Sequence, residues 1–514
     1  MVGRVFQVLG WCSLAACLLP LARAEDAADR RLAERIDARI RAGWKAAGVR
    51  PAVRADDAEF LRRVYLDIAG KIPPVSGARR FLADPAPDKR ERLIERLLDG
   101  PAYVTHFSTR WRLLLVPETE SNLRQRAALP MLEEWLRRQL AKNVGFDQLV
   151  RSLLVTPLDD PRRSPNDPSP RAFFLGRETK PEDLAASATR LFLGVRLECA
   201  QCHNHPFTHW KREEFWSQAA FFASPQRRDM AAATILLTIP GTQKVVRPRF
   251  LGESDAPLGG AGRSPRELFA DWLVRPDNPY FARAAVNRLW GHFFGVGLVN
   301  PVDDFNDANR PSHPELLDEL AREFANHHFD VKFLIRALTL SNAYQLSGSA
   351  GEKPMAPPRL FSRMALKSLT PEQLFDSLAQ ATGYREPTST RQRLLESGTP
   401  RQQFLARFPR NENPTDPSAS IPQALAMMNG PLVARLTDLT QSRTLSAVAN
   451  APFMDTRERV ETLFLAALTR KPLADEAARF VQYVDQGGAS GDHQEALADV
   501  FWALLNSGEF VLNH

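Results

Sequence analysis

Cysteine is scarce in this chain of 514 residues: it occurs four times, at Cys12, Cys17, Cys199 and Cys202. Two of these fall in an apolar N-terminal stretch, so a mature protein keeps only two, too few for disulfides to be a general source of stability. A chain of this length buries enough surface without them. An excess of one charge is also lacking, since 67 basic residues face 60 acidic ones for a formal net charge of +7. No run of basic residues interleaves with aromatics, which excludes a nucleic-acid footprint. No apolar run reaches the roughly 20 residues of a membrane span. A Gly-x-Ser-x-Gly elbow is missing, so a serine hydrolase has no visible nucleophile. Phe294-Gly295-Val296-Gly297 lacks both the third glycine and the preceding strand of a nucleotide-binding turn.

What is present begins with a leader. Met1 to Arg4 is positive, Val5 to Leu21 is apolar, and Ala22-Arg23-Ala24 has the small-x-small form of a signal-peptidase site, so residues 1–24 are expected to be a signal peptide. Loss of Arg4 and Arg23 with it lowers the net charge by two. A minor alternative is a lipoprotein anchored through Cys17, from Leu14-Ala15-Ala16-Cys17. The expected product is exported, periplasmic or secreted, with no transmembrane anchor.

Apolar residues recur at helical spacing through most of the remainder, and the composition, 44% hydrophobic and 25% charged, is that of a folded globular protein. Phe60, Val64, Tyr65 and Ile68 mark one helix. Leu184, Ala188, Leu191, Phe192 and Val195 mark another, with Thr179-Lys180-Pro181-Glu182 as its capping box. Ser312-x-x-Glu315 is a second capping box. Thr234 to Ile239, Pro240-Gly241 and Lys244 to Val246 read as a hairpin, the one clear β signal. The fold class expected is mainly α, two helical domains with a small β-hairpin insertion between them. Residues 25–225 form the first, 226–263 the hairpin and linker, and 264–514 the second.

Both retained cysteines sit in Leu197-Glu198-Cys199-Ala200-Gln201-Cys202-His203-Asn204-His205-Pro206-Phe207-Thr208-His209-Trp210. Cys-x-x-Cys-His is the pattern of covalent haem attachment: two thiols add to the two vinyl groups, and the adjacent imidazole lies under the iron. Cys199, Cys202 and His203 are therefore candidate haem c residues, with His203 as proximal iron ligand. The residues leave other readings open. A Cys199–Cys202 disulfide would lock the turn. A zinc or iron ion would use Cys199, Cys202, His203 and His205, although such sites usually draw ligand pairs from separated segments. A thiol-exchange site lacks the surrounding βαβ pattern. For a distal haem ligand the weak candidates are His209, His292 and His313, or a methionine, Met230, Met427 or Met428. His205 is too near, because two extended residues reach about 7 Å. Asp303-Asp304-Phe305-Asn306-Asp307 is an acidic loop, read as a solvated turn before a calcium site. Asn287, Arg288, Trp290 and His292 form a polar and aromatic patch on one helix.

The string from Phe192 to Phe207 resembles the signature of the planctomycete-type cytochrome c domain family, and Phe60 to Gly70 resembles its opening. Asn287 to Gly295, Ser312 to Leu317 and Ala503 to Phe510 are similar to its companion domain of unknown function. Thr208-His209-Trp210 departs from the pattern, where an acidic and a basic residue would precede the tryptophan. The resemblance implies an exported, cytochrome-like protein without assigning a reaction; a separate conventional cytochrome c domain, carried by many relatives, is not seen. The function expected is haem binding and electron transfer with a redox partner protein, in the service of an exported degradative enzyme. The alternative is a haem-free binding or scaffold protein with a disulfide- or metal-locked loop. Whether it is itself an enzyme, and its oligomeric state, stay open.

Overall fold

A computed structural model describes residues 12–117, 123–158, 164, 166–177, 179–223, 236–252, 263–349, 356–386, 399–408 and 427–513, with side chains from residue 28 onward except 123–127. The protein is mainly α-helical, 59% helix, with strand confined among the described residues to two antiparallel pairs of two residues each. No helix among them is long and apolar enough to cross a membrane.

Contacts divide the chain into two compact units, each assembled from three stretches of sequence. The first comprises residues 1–50, 111–291 and 297–344, and the second 51–110, 292–296 and 345–514. Both draw on sequence from either side of the expected hairpin and linker.

In the first unit the helix Cys12–Ala47 packs along Val331–Leu340 and Pro314–Asn326. Asp37 fixes that contact: its carboxylate accepts from the backbone N–H groups of Asn342 and Ala343 at 3.0 and 3.1 Å. The helices Phe146–Leu154 and Pro265–Leu273 pack together, with a reciprocal cap between Ser264 and Glu267 on the latter. Phe221, Phe250 and Trp272 stack in sequence at 5.2 and 5.0 Å between centroids. The expected hairpin is present as Leu237–Thr238 paired with Val245–Val246; Thr234 and Ile235 lie outside the described residues.

Two capping expectations are corrected. The helix Pro181–Ala188 is capped by Lys180, with Thr179 outside it at φ 57°, and Pro314–Asn326 by His313, neither through a side chain. In both, proline occupies the first turn and moves the start one residue past the expected cap. Leu191 is only half-buried, whereas Thr189, Phe192 and Leu193 are buried. Thr189–Leu193 is a π-helical turn, and its extra residue rotates the stripe.

The second unit has an apolar core from Pro371–Thr382, Arg443–Ala449, Thr456–Leu468, Ala474–Asp485 and His493–Leu505. Met427 is buried in it, whereas Met428 is exposed. Its strand pair joins Lys367–Ser368 to Leu512–Asn513, placing Lys367 opposite Asn513. Two residues on each side carry no alternation that a sequence pattern would reveal.

Candidate functional site

The π-helical turn ends at Gly194, whose φ of 69° is left-handed. A Cβ there would stand 2.6 Å from the ring of Phe305, so only glycine allows this approach. The carbonyl of Gly194 accepts from the N–H of Phe305 at 2.8 Å. The chain then forms a 3₁₀ turn, Glu198–Gln201, anchored by buried Leu197 and Ala200. Cys199 and Cys202 flank buried Ala200, and both are exposed free thiols.

Hydrogen bonds, rather than a covalent bridge, close the loop. The N–H of His205 donates to the carbonyl of Trp210 at 2.9 Å. The carbonyl of Gln201 accepts from the indole of Trp216 at 3.0 Å and from Arg212 Nε at 3.2 Å. Arg212 also donates to the carbonyl of Pro240 at 2.7 Å, tying the hairpin to the same point. At the tip Phe207 is 86% exposed.

The two histidines beside the thiols differ in which nitrogen is engaged. His203 Nδ1 lies 2.7 Å from the carbonyl of Asn204, which can only accept, so Nδ1 carries a proton and, in the neutral ring, the lone pair is on Nε2. His205 Nδ1 instead accepts from the N–H of Phe207 at 3.2 Å, spending its lone pair within the loop.

The remaining candidates are dispersed. His209 is exposed, its ring tilted against Trp210 with centroids 4.1 Å apart, and its Nδ1 lies 3.7 Å from Asp307. His313 packs against Gly43, and its Nδ1 lies 3.1 Å from Ser312 Oγ. His292 belongs to the second unit, where Nε2 donates to the carbonyl of Asp67 at 2.8 Å. Met230 lies outside the described residues. Among the described residues no three His, Cys, Asp or Glu side chains converge as metal ligands.

The segment that positions the motif from a distance is the acidic loop. Asp303 is buried, not solvated: its carboxylate accepts from Arg190 Nε at 2.7 Å and from Arg196 Nη2 at 2.7 Å. Burial pushes its carboxyl up, but the two arginines outweigh this and hold it below the usual range. With Phe305 at Gly194 and Asp307 beside His209, this loop flanks the thiol turn. Burial raises the carboxyl of Glu198, next to Cys199, with Arg190 and Arg196 opposing. No sequence signal pairs this acid run with Arg190 and Arg196, which lie 113 and 107 residues away.

The polar patch on Phe281–Phe294 is buried. Asn287 bonds the carbonyls of Val299 and Val302 at 2.8 and 3.1 Å, and Arg288 the carbonyl of Arg190 at 3.3 Å.

A second polar cluster, which sequence reading missed, lies in the second unit. Lys367 is buried, and its Nζ donates to Asp67 Oδ1 at 2.6 Å and to the carbonyls of His292 and Phe293 at 3.0 Å each. Asn513 donates to the same Asp67 oxygen at 2.7 Å. The ring of His106 is tilted against that of His292, with centroids 5.7 Å apart. Burial, aided by Arg110 and Lys367, pushes the His106 pKa down to about 3; burial also holds His292 well below its usual value.

Residues 35–227 match the family model PSCyt2, described as a protein of unknown function (DUF1549), and residues 265–419 match PSD1, described likewise (DUF1553). No curated protein and no solved structure matches the chain. The two matches together span more than half of the 514 residues and fall in the order that the sequence resemblance implied, so the chain belongs to the family in which a PSCyt2 domain precedes a PSD1 domain.

Proposed function

We propose that the chain is a c-type cytochrome-like electron-transfer protein of the exported compartment, with haem held by Cys199 and Cys202 and His203 as its axial ligand. The observation that carries this reading is the division of lone pairs between neighbouring imidazoles. His203 keeps Nε2 free because Nδ1–H is held by a carbonyl, the arrangement that fixes the tautomer of a metal-bound histidine, while His205 uses its lone pair internally. The residues fit the group: two free thiols flank one turn, both exposed, next to an imidazole of the required tautomer. Bound haem supplies one-electron transfer. The chain's own part is to hold the attachment turn rigid through Gln201, Arg212 and Trp216, and to keep its thiols at the surface.

The other reading, a haem-free binding or scaffold protein, draws support from the hydrogen bonds by which the loop's own backbone and side chains close it. One experiment separates the two. The chain is expressed with its leader beside a haem-attachment system, denatured, and stained for haem on a gel. Haem should migrate with the polypeptide, and Cys199→Ser with Cys202→Ser should abolish it. A colourless denatured chain with paired or chelator-sensitive thiols would establish the scaffold reading. Where haem is retained, the reduced spectrum with and without carbon monoxide reports whether the distal position is filled.

A further inference from the structure

Away from the thiol turn, the second unit contains an open cleft of about 330 Å³ lined by Gly383, Tyr384, Arg385, Leu432, Arg435 and Arg443, with Leu436 and Gln441 completing it. Among the described residues its lining includes three arginines and no acidic residue. Other arginines of this unit do meet acids. Arg401 meets Asp376 through both nitrogens at 2.8 and 3.1 Å, and Arg470 is shared between Glu476 and Glu509. Arg63 pairs with Glu59 and Arg90 with Asp57. In the cleft, Arg435 bonds only the carbonyl of Pro431, at 3.3 Å, and Arg385 and Arg443 have no ion pair or side-chain hydrogen bond among the described residues. Glu386, next to Arg385, accepts from the backbone N–H of Arg401 at 3.2 Å, and Asp438, three residues from Arg435, accepts from the backbone N–H of Thr440 at 2.8 Å.

The walls are fixed in place. Gly383 ends the helix Pro371–Thr382 at φ 71°, and a Cβ there would stand 3.1 Å from Cβ of Arg443. Ser442, buried, donates to the carbonyl of Thr382 at 3.3 Å and caps Arg443–Ala449. Arg443 is thereby held at the rim by its neighbours' backbone, not by a partner for its own charge. On the opposite side Leu436 is buried in the core of the unit and Tyr384 stands edge-on to Phe375.

We propose that this cleft binds a small organic molecule carrying a tetrahedral oxyanion, a phosphate or sulfate monoester. Unmatched like charges around one hollow favour an anion, and guanidinium groups bond such oxyanions in pairs. The volume is at the lower end of small-molecule sites and exceeds what a bare tetrahedral ion fills. Leu432 and Tyr384 supply the apolar surface that the organic portion needs. This proposal is independent of haem, since every lining residue belongs to the second unit.

The test titrates phenyl phosphate, phenyl sulfate, inorganic phosphate and phenol into the full chain at fixed ionic strength, followed by calorimetry. At least one ester should bind, at least tenfold more tightly than inorganic phosphate, and phenol should not bind. The tighter ester identifies the oxyanion. Arg435→Gln and Arg443→Gln should each weaken ester binding by about tenfold, the scale of one charge-assisted hydrogen bond. Arg457→Gln, at an exposed arginine outside the cleft, should leave it unchanged, and unaltered thermal unfolding of all three variants shows that the fold is intact. Binding of neither ester, equal binding by the Arg435→Gln/Arg443→Gln double variant, or phenol binding as well as the esters would overturn the proposal.

Discussion

The thiol turn of the first unit and the Asp67–Lys367 cluster of the second use similar residue types in opposite ways. In the second, a carboxylate, an ammonium and two imidazoles are withdrawn from water, and Lys367 Nζ has three oxygen partners. In the first, two thiols and an imidazole nitrogen are left without partners of that kind, at the surface of a turn braced through its backbone. Satisfied polar groups hold a fold together, because any rearrangement must break bonds that water cannot replace. Chemistry with an outside group needs the reverse, a rigid backbone and free lone pairs. Side-chain identity alone does not separate these cases; the location of the hydrogen bonds does.

The largest expected effect breaks the satisfied cluster. Lys367→Met leaves the Asp67 carboxylate buried without its cation and should cost about 3–5 kcal/mol. Adding Asp67→Asn should restore much of that loss, because the uncompensated charge is removed. Urea unfolding with hydrogen exchange, which resolves the two units, checks both. A loss below about 1 kcal/mol for the single variant would erase the contrast with the thiol turn.

Acid should act on the same unit. In the unfolded chain His106 and His292 take up protons near pH 6.5, whereas burial keeps both neutral in the folded state, His106 down to about 3. The unfolded state therefore binds more protons between these limits. Stability should be complete above about pH 6.5 and fall as the pH drops towards 3, by up to about 1.4 kcal/mol per pH unit for each histidine. His106→Gln should reduce that slope by the share of one histidine, as read from urea midpoints between pH 7 and pH 4.5.

A smaller effect concerns how the thiol turn is positioned. Gly194→Ala forces a left-handed alanine against the ring of Phe305, costing about 1–2 kcal/mol for the backbone before any steric clash. Exchange should quicken in residues 194–205 and leave the Lys367 cluster protected. Uniform destabilisation of both units would show that the motif is not locally braced.

How much of this was legible depends on sequence distance. Helices such as Asp57–Val64 and Thr456–Leu468 are local, so their apolar spacing and capping residues announce them. Cys199, Cys202 and His203 are contiguous, and the chemistry they suit is written in their order. The Arg190–Asp303 and Arg196–Asp303 pairs join residues 113 and 107 positions apart, and Lys367 lies 300 from Asp67. No periodicity links such residues, so the acidic loop read as a solvated turn. The π-helical turn at Thr189–Leu193 escaped for a different reason: one inserted residue shifts a stripe without changing its composition.

The smallest effect is the most discriminating for the thiol turn. Cys199→Ser and Cys202→Ser remove exposed groups with no disulfide between them, so each should change the stability of the protein without haem by less than about 0.5 kcal/mol. The loop keeps its shape through Gln201, His205, Arg212 and Trp216, none of which bonds a thiol. Trp216→Phe, which deletes one buried donor to Gln201, should cost about 1 kcal/mol, more than either cysteine. Should the serine variants prove the costlier ones under non-reducing conditions, the thiols would be joined and the turn would owe its rigidity to sulfur. If they are silent, the two cysteines contribute nothing measurable to the fold, and the reason for placing them at the surface of a pre-shaped turn must lie in what they bind.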